Sequence, residues 1–387
     1  MFGDKFKRKY TLSNQDTANI ASGMMAAITA KQKNKDAKII ILEKLGVPGK
    51  KLGATGNGKC NISNIKCEQH EAVLNVFKGL GIITRTDKAG RIYPCSEDAK
   101  DVVRALVLSM DRLGIRVKYS SPVSHVEKNK EDFEIYIEKG DRIKSKSLLI
   151  AAGGKAGSKF GTTGDGTRIA KSLGHSITRL VPSLTAVELK EELGFLAGVR
   201  EKCEISLWYE EKLIRKEYGE VQFTGYGISG ICVFNISKYI VIPEGVPLKS
   251  GFEKYRIKID FLPEIDNLEE VLENRSFKLQ DNYLISLVKR ALAEYIKEKS
   301  GKDISKAAKM LKSFTLTPKN LRGWEFAQVT SGGVDYGEVN TETMESDLVR
   351  GLYFAGEVLD YDGLCGGYNL QHAFETGIRA GQNMGRI

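Results

Sequence analysis

Residues 38–43 read Lys-Ile-Ile-Ile-Leu-Glu, a continuous apolar run that ends in an acid. A buried parallel strand reads this way, because both faces of its sheet are covered and the alternation of an exposed strand is lost. Glu43 follows Gly23 by 20 residues, and Gly23 stands among Ala21, Ser22, Ala26 and Ala27, small residues that suit a helix packed closely on a sheet. Glycine at a helix start, phosphate at the helix N-terminus and an acid on the ribose hydroxyl form the dinucleotide-binding plan. The plan has a fault here. A full G-x-G-x-x-G ending at Gly23 needs glycine at two positions that hold Ala18 and Ile20, and residues 10–16 (YTLSNQD) lack the apolar strand expected before it. Read alone, the segment is an ordinary helix start.

Outward from this strand, residues 97–113 carry apolar side chains at 102, 103, 106, 107, 110 and 113. That spacing predicts a helix, with Ser96 as its N-cap. Residues 115–118, 121–126 and 133–137 are short strand-like runs, and 147–152 (SLLIAA) is a second buried strand ending at Gly153-Gly154. Alternating strands and helices predict an α/β fold with a parallel sheet. From about 186 to 262 the chain reads as β-rich. From 265 to 313 it reads as helical, with Leu284, Leu287, Val288, Leu292 and Ile296 in one stripe. Glycine-rich α/β character returns after about 325, with a strand over 352–355 and a small-residue helix over 370–381. The expected organisation is a Rossmann-like domain in two parts, 1–187 and 328–387, interrupted by an insertion over 188–327 that is β-rich over 188–263 and helical over 264–315. No Pro-rich or Gly/Ser-rich linker separates the parts, so a docked insertion is expected.

Of 387 residues, 28% are charged and 41% hydrophobic, which excludes long low-complexity disorder. No apolar run approaches the roughly 20 residues of a membrane span, and the basic start (Lys5, Lys7, Arg8, Lys9) leads into no signal core. A cytoplasmic protein without a membrane partner is expected. The six cysteines (60, 67, 95, 203, 232 and 365) form no CxxC pair and there are only four histidines, so no metal site is expected. The net charge is +10, but the lysines are spread along the chain. A small-molecule substrate is therefore expected rather than a dedicated nucleic-acid partner.

The 40 glycines cluster where ligands sit in such folds. Residues 49–61 contain Gly53, Gly58 and Lys59 at phosphate-loop spacing. Cys60 stands where a magnesium-binding hydroxyl would be required, and nine residues separate Gly53 from Glu43, so ATP hydrolysis is not expected. The loop reads as a basic phosphate neighbour or as a surface turn. A third cluster joins residues 151–154 to 161–166. The fourth runs from Gly351 to Glu357 and from Gly363 to Gln371, where backbone N–H groups at a helix start could hold an anionic ring edge or a phosphate.

The chain resembles the aminoacetone-oxidase-like and BaiN/YhiN-type NAD(P)/FAD-dependent oxidoreductases. The resemblance runs from about Gly23 to the C-terminus. It is carried by KKLGATGNGKCNISN at 50–64, RIYPCSEDA at 91–99, AAGG at 151–154, TGDGTRIAKSLGH at 163–175, VPSL at 181–184, FTGYGISG at 223–230, residues 329–363 and CGGYNLQHAFETG at 365–377. It implies a two-dinucleotide-fold FAD domain interrupted by a β-barrel-like and helical insertion. It implies cofactor contacts from Ser22 and Gly23, from Glu43 on the adenosine ribose with Lys44 and Lys51 nearby, and from Gly56, Gly58, Lys59, Cys60 and Asn61. Val123 would meet the adenine, Gly153 and Gly154 would border the phosphates, and Gly356, Glu357 and Asp360 would hold the ribityl and phosphate region. Gly366, Gly367, Tyr368, Asn369 and Leu370 would face the isoalloxazine ring.

Residues 1–22 depart from this family, which opens with an apolar strand and an intact glycine fingerprint. Two functions follow. The first is an FAD-dependent oxidoreductase moving hydride between an organic substrate and flavin, with NAD(P)H or oxygen as the other partner. The second is a non-catalytic relative with weakened or lost FAD binding, taking a nucleotide or RNA. No acid–base residue announces itself; Tyr93, Tyr226, Cys365 and His372 are the candidates, with His372 read as a packing residue and His175 as part of a structural turn.

Overall fold

The computed structural model describes residues 9–14, 20–138, 140–243, 245–246 and 248–384; the side chains of 9–14, 20 and 248–249 lie outside that description. The basic start at 1–8 and Ala18 also lie outside the described residues. The chain divides into two compact units, residues 1–181 with 329–387, and residues 182–328.

The first unit is built on a five-stranded parallel sheet. Its strands are β1 (Lys9–Asn14), β2 (Lys38–Glu43), β3 (Arg116–Lys118), β4 (Ser147–Ile150) and β5 (Leu352–Phe354), in the order β5-β4-β1-β2-β3. The runs KIIILE and SLLI form strands whose side chains are buried except for the exposed Lys38 and part-exposed Ile40, as a sheet covered on both faces requires. The polar run at 9–14 also forms a strand, and it lies in the middle of the sheet, paired along its length with β2 and β4. A ladder asks only for backbone N–H and C=O groups, and two apolar neighbours supply them on either side.

Helix α1 (Ile20–Lys33) follows β1, and residues 21–30 are all buried. It starts at Ile20, so Gly23 lies within its first turn rather than at its start. Helix α2 (Ala99–Arg112) is capped by Asp98, whose Oδ1 accepts the Lys100 N–H at 2.8 Å. Ser96 is not the N-cap; its Oγ accepts the Asp98 N–H instead. Helix α3 (Tyr368–Asn383) lies against α1. A Cβ built on Gly377 would lie 2.4 Å from the Ser22 carbonyl oxygen, and one on Gly381 would lie 2.4 Å from that of Ala26. Both helices advance four residues between these contacts, so they run parallel with backbones touching.

The second unit is a seven-stranded antiparallel sheet dominated by the hairpin Arg200–Tyr209 and Lys212–Thr224. Tyr255–Asp260 alternates buried and part-exposed residues, as a half-covered strand should. Helices Leu268–Leu279, Arg290–Ser300 and Ile304–Lys312 accompany the sheet. The stripe from Leu284 to Ile296 is not one helix. Residues 283–289 form turns, and Leu284 reaches the same core as Leu292 and Ile296 from outside the helix. Among the described residues no helix is long and apolar enough to cross a membrane.

Candidate functional site

In the first unit the chain runs from β1 to β2 and β3 on one side, and β4 and β5 lie on the other. The strand order therefore reverses between β1 and β4, and ligands of open α/β sheets bind at the carboxyl edge of such a point. Glu43 ends β2, Gly153-Gly154 follow β4 closely, and Gly356-Glu357 follow β5. Because the strands are parallel, all of these lie toward one edge. Helices α1 and α3 both start toward it, so two positive helix ends are aimed the same way.

Glu43 is fully buried, and its Oε1 accepts the Leu45 N–H at 2.7 Å. Its carbonyl accepts from Ser121 N at 2.9 Å, which brings the segment leading to Val123 beside it. Ser22 Oγ donates to the Ala355 carbonyl at 3.3 Å, joining α1 to the turn that holds Gly356. The two lysines placed near the ribose part company. Lys44 Nζ reaches Thr163 Oγ1 and Asp165 Oδ2, each at 3.0 Å. Lys51 Nζ donates to Glu357 Oε2 at 2.8 Å and to the Ala156 carbonyl at 3.0 Å. Glu357 Oε1 accepts the Thr330 N–H at 2.9 Å, and Asp360 Oδ1 accepts that of Gly332 at 3.1 Å. Glu357 and Asp360 therefore tie loops together. Gly154 is required by close approach, since a Cβ there would lie 2.2 Å from Thr330 Oγ1.

Residues 52–61 are a knot of tight turns, with Asn57 and Cys60 in the left-handed region at φ 56° each. The strand Ser63–Asn64 follows rather than a helix, so the phosphate-loop spacing lacks its context. Burial pushes the Cys60 thiol up to about 12, which leaves it neutral and inert. Asn61 is buried, and its Oδ1 has no hydrogen-bond partner among the described residues. It lies beside the start of α3, where a Cβ on Gly367 (φ 104°) would sit 2.9 Å from that oxygen and 2.4 Å from the Ser63 carbonyl. No side chain caps the first turn of α3, so its N–H groups remain to be satisfied. The Asn369 side chain is occupied in the loop, accepting from Gly363 N at 2.8 Å and donating to Gly363 O at 2.9 Å.

An unpartnered buried acceptor beside a row of N–H donors complements a ring edge carrying both C=O and N–H. The residues therefore fit a flavin. Its imide edge suits Asn61 and the start of α3, and a ribose hydroxyl suits Glu43.

The four catalytic candidates lie in different places. Tyr93 is on the strand Arg91–Pro94, with its phenol pushed up by burial. Cys365 is half-buried in the loop before α3. Tyr226 belongs to the second unit, its ring 4.3 Å from the Arg322 guanidinium carbon. His372 stacks on Tyr361 at 4.0 Å between centroids, and its Nε2 meets the Tyr336 hydroxyl. Sequence reasoning missed Thr330, Thr376 and Gln371. Thr376 Oγ1 accepts from Gly356 N at 3.0 Å, and Gln371 Oε1 accepts from Ser63 Oγ at 2.7 Å. The motif runs at 329–363 and 365–377 contain all three, but periodicity does not single them out.

His372 is lowered to about 3, mainly by burial, with Arg379 adding to the effect. His175 is also held below its ordinary value by burial, against the pull of Glu338 at 3.0 Å from its Nδ1. His372 therefore stays neutral in the folded protein down to low pH, whereas an unfolded histidine takes up a proton below about 6.5, and His175 is shifted in the same direction. The unfolded state then binds more protons, so stability present above pH 6.5 is lost as pH falls toward 3. Melting at pH 5 should come below melting at pH 7.5, and His372→Gln should narrow that gap. An equal gap in the variant would remove His372 from this account.

A model of the HI0933-like protein Rossmann domain matches residues 68–383. Over 94% of its length the chain is 32% identical to a 3-dehydro-bile acid delta(4,6)-reductase of Clostridium scindens, covering 96% of that protein. It is 27% identical to a ribosomal RNA dihydrouridine synthase of Escherichia coli, with 94% of this chain and 96% of that one covered. Among solved structures it resembles the Diels-Alderase PyrE3 of pyrroindomycin biosynthesis, at a TM-score of 0.42 and 12% identity, over 95% of this chain and 63% of that longer one. The Rossmann-type sheet and the matched family agree, and the chain belongs to the HI0933-like family of flavin-dependent oxidoreductases.

Proposed function

We propose that the protein is an FAD-dependent reductase that uses NAD(P)H to saturate a carbon–carbon double bond conjugated to a carbonyl. The observation that carries this reading is the pair of relatives matched nearly end to end. One name describes removal of double bonds from a 3-oxo bile acid, the other formation of dihydrouridine, a uridine whose ring double bond is saturated. Both bonds are conjugated to a carbonyl, so one chemistry serves both names.

Bound FAD would supply hydride chemistry between NAD(P)H and the β-carbon of the acceptor, with a proton needed at its α-carbon. The protein's part is placement. Asn61 Oδ1 and the first turn of α3 would fix the ring edge, and the N–H groups of that turn would stabilise negative charge on the reduced ring. Glu43 would hold the ribose. His372 cannot serve as a cationic acid at neutral pH, because burial keeps it unprotonated.

The test begins with the visible spectrum of protein purified with FAD supplied. A bound flavin should be bleached by NAD(P)H without oxygen and recover its colour on adding a conjugated enone. Colourless protein would favour the cofactor-free alternative. Bleaching by an amine and recovery with oxygen alone would replace the reductase by an amine oxidase.

A further inference from the structure

We propose that a basic cleft in the first unit binds the 2′-phosphate of NADPH and so makes the protein select NADPH over NADH; this rests on the reading above that a nicotinamide dinucleotide reduces the flavin. The cleft holds about 380 Å³, within the range of small-ligand pockets, roughly 300–1,000 Å³. Four cations line it: Lys59, Arg85, Lys88 and Arg91. Two acids accompany them. Glu97 Oε2 lies 2.6 Å from Lys59 Nζ, and Glu97 also pairs with Arg85. Asp87 Oδ2 lies 2.8 Å from Arg91 Nε, while its Oδ1 accepts backbone N–H groups of its own turn. The cleft keeps a net charge of +2, four cations less two acids.

That charge matches one group. A phosphate monoester carries about −1.5 to −2 at pH 7, with three acceptor oxygens. NADPH has such a group on its adenosine ribose and NADH has none. The donors to meet it are still unspent. Arg85 gives only Nη2 to Glu97, and its Nε and Nη1 make no hydrogen bond among the described residues. Lys88 is exposed and makes no ion pair among the described residues. Arginine suits this role, because its planar fork meets two phosphate oxygens at once. Tyr93 adds a part-exposed ring on which the adenine can stack.

The backbone holds the cations in place. Glu97 has φ +50°, a left-handed conformation that persists in a residue with a side chain only where the surroundings enforce it. Held there, one carboxylate bridges Lys59 and Arg85, which come from different segments. Lys59 belongs to the loop expected to line the flavin, so the cleft adjoins that loop. The spread of basic residues along the sequence hid this arrangement; the turn between Thr84–Thr86 and Arg91–Pro94 gathers three of the four.

The experiment titrates the flavin-loaded full chain with adenosine 2′,5′-bisphosphate and with 5′-AMP, by calorimetry, so that binding is read apart from turnover. Wild type should bind the bisphosphate at least about ten-fold more tightly, and salt should narrow the difference. Arg85→Ala/Lys88→Ala should abolish most of that preference and raise KM for NADPH by a similar factor, with KM for NADH moved less than about two-fold. Arg85→Lys/Lys88→Arg should keep the preference. Equal binding of the two nucleotides by wild type would overturn the proposal. So would a wild-type-like preference in the alanine variant, or an equal loss for both nucleotides, which a merely structural role would give. Selective binding of the bisphosphate by a chain whose flavin NADPH does not bleach would uphold the cleft and refute the reductase. Bleaching by NADH and NADPH alike, without selective binding, would uphold the reductase and overturn the cleft.

Discussion

Lys51→Met is expected to cost about 3–5 kcal/mol of stability, the usual cost of stranding one partner of a buried ion pair. Both side chains of the Lys51–Glu357 pair are only 10% exposed, so solvent cannot take over from the missing ammonium. Glu357 would keep the Thr330 N–H at 2.9 Å but lose its cation, and the Ala156 carbonyl would lose its donor. Total stabilities are commonly about 5–15 kcal/mol, so a large fraction is at stake. The pair ties the segments at 51, 156, 330 and 357, so flavin retention should fall with it. Denaturant midpoints check this. Lys51→Met/Glu357→Gln, which removes both charges, should recover much of the loss. A single-variant loss under about 1 kcal/mol would show that the pair is not structural.

The second expected result concerns the glycines of α3. In a free helix, Gly→Ala stabilises by about 1 kcal/mol. At Gly377 and Gly381 the same change should destabilise. Each new Cβ would lie 2.4 Å from a carbonyl oxygen of α1, well inside contact distance, so the helices must separate. Overpacking of this kind costs about 1–3 kcal/mol, which outweighs the propensity gain. The double variant should cost less than the sum, because the helices need part only once. A rise in the denaturant midpoint of either single variant would mean that the backbones do not approach so closely.

The strands at 38–43 and 147–150 and the returning strand at 352–354 are legible because burial on both faces leaves an unbroken apolar run. The middle strand of the same sheet is not legible. Its residues are mostly polar, and its place is fixed by pairing with two neighbours that both follow it in the sequence, at 38–43 and at 147–150. The site divides in the same way. Glu43, the glycine turns and the start of α3 can be found because glycine and strand ends are local signals. The pairing of Lys51 with Glu357 and the meeting of Asn61 with Gly367 join opposite ends of the chain, and no spacing rule reaches that far. Ser96 and Asp98 are both good caps by composition; only the backbone at Asp98, extended at φ −117°, decides between them.

The parallel contact of α1 with α3 also sets an order of events during synthesis. The helix that covers α1 emerges only after the whole of the second unit. At bacterial or eukaryotic elongation rates, roughly 10–40 s separate completion of residue 181 from completion of α3. For that interval the face of α1 that carries Ser22 and Ala26 waits uncovered, along with the sheet edge at β4 that β5 will fill. Nascent chains stalled within that window are the species that a chaperone would need to shield.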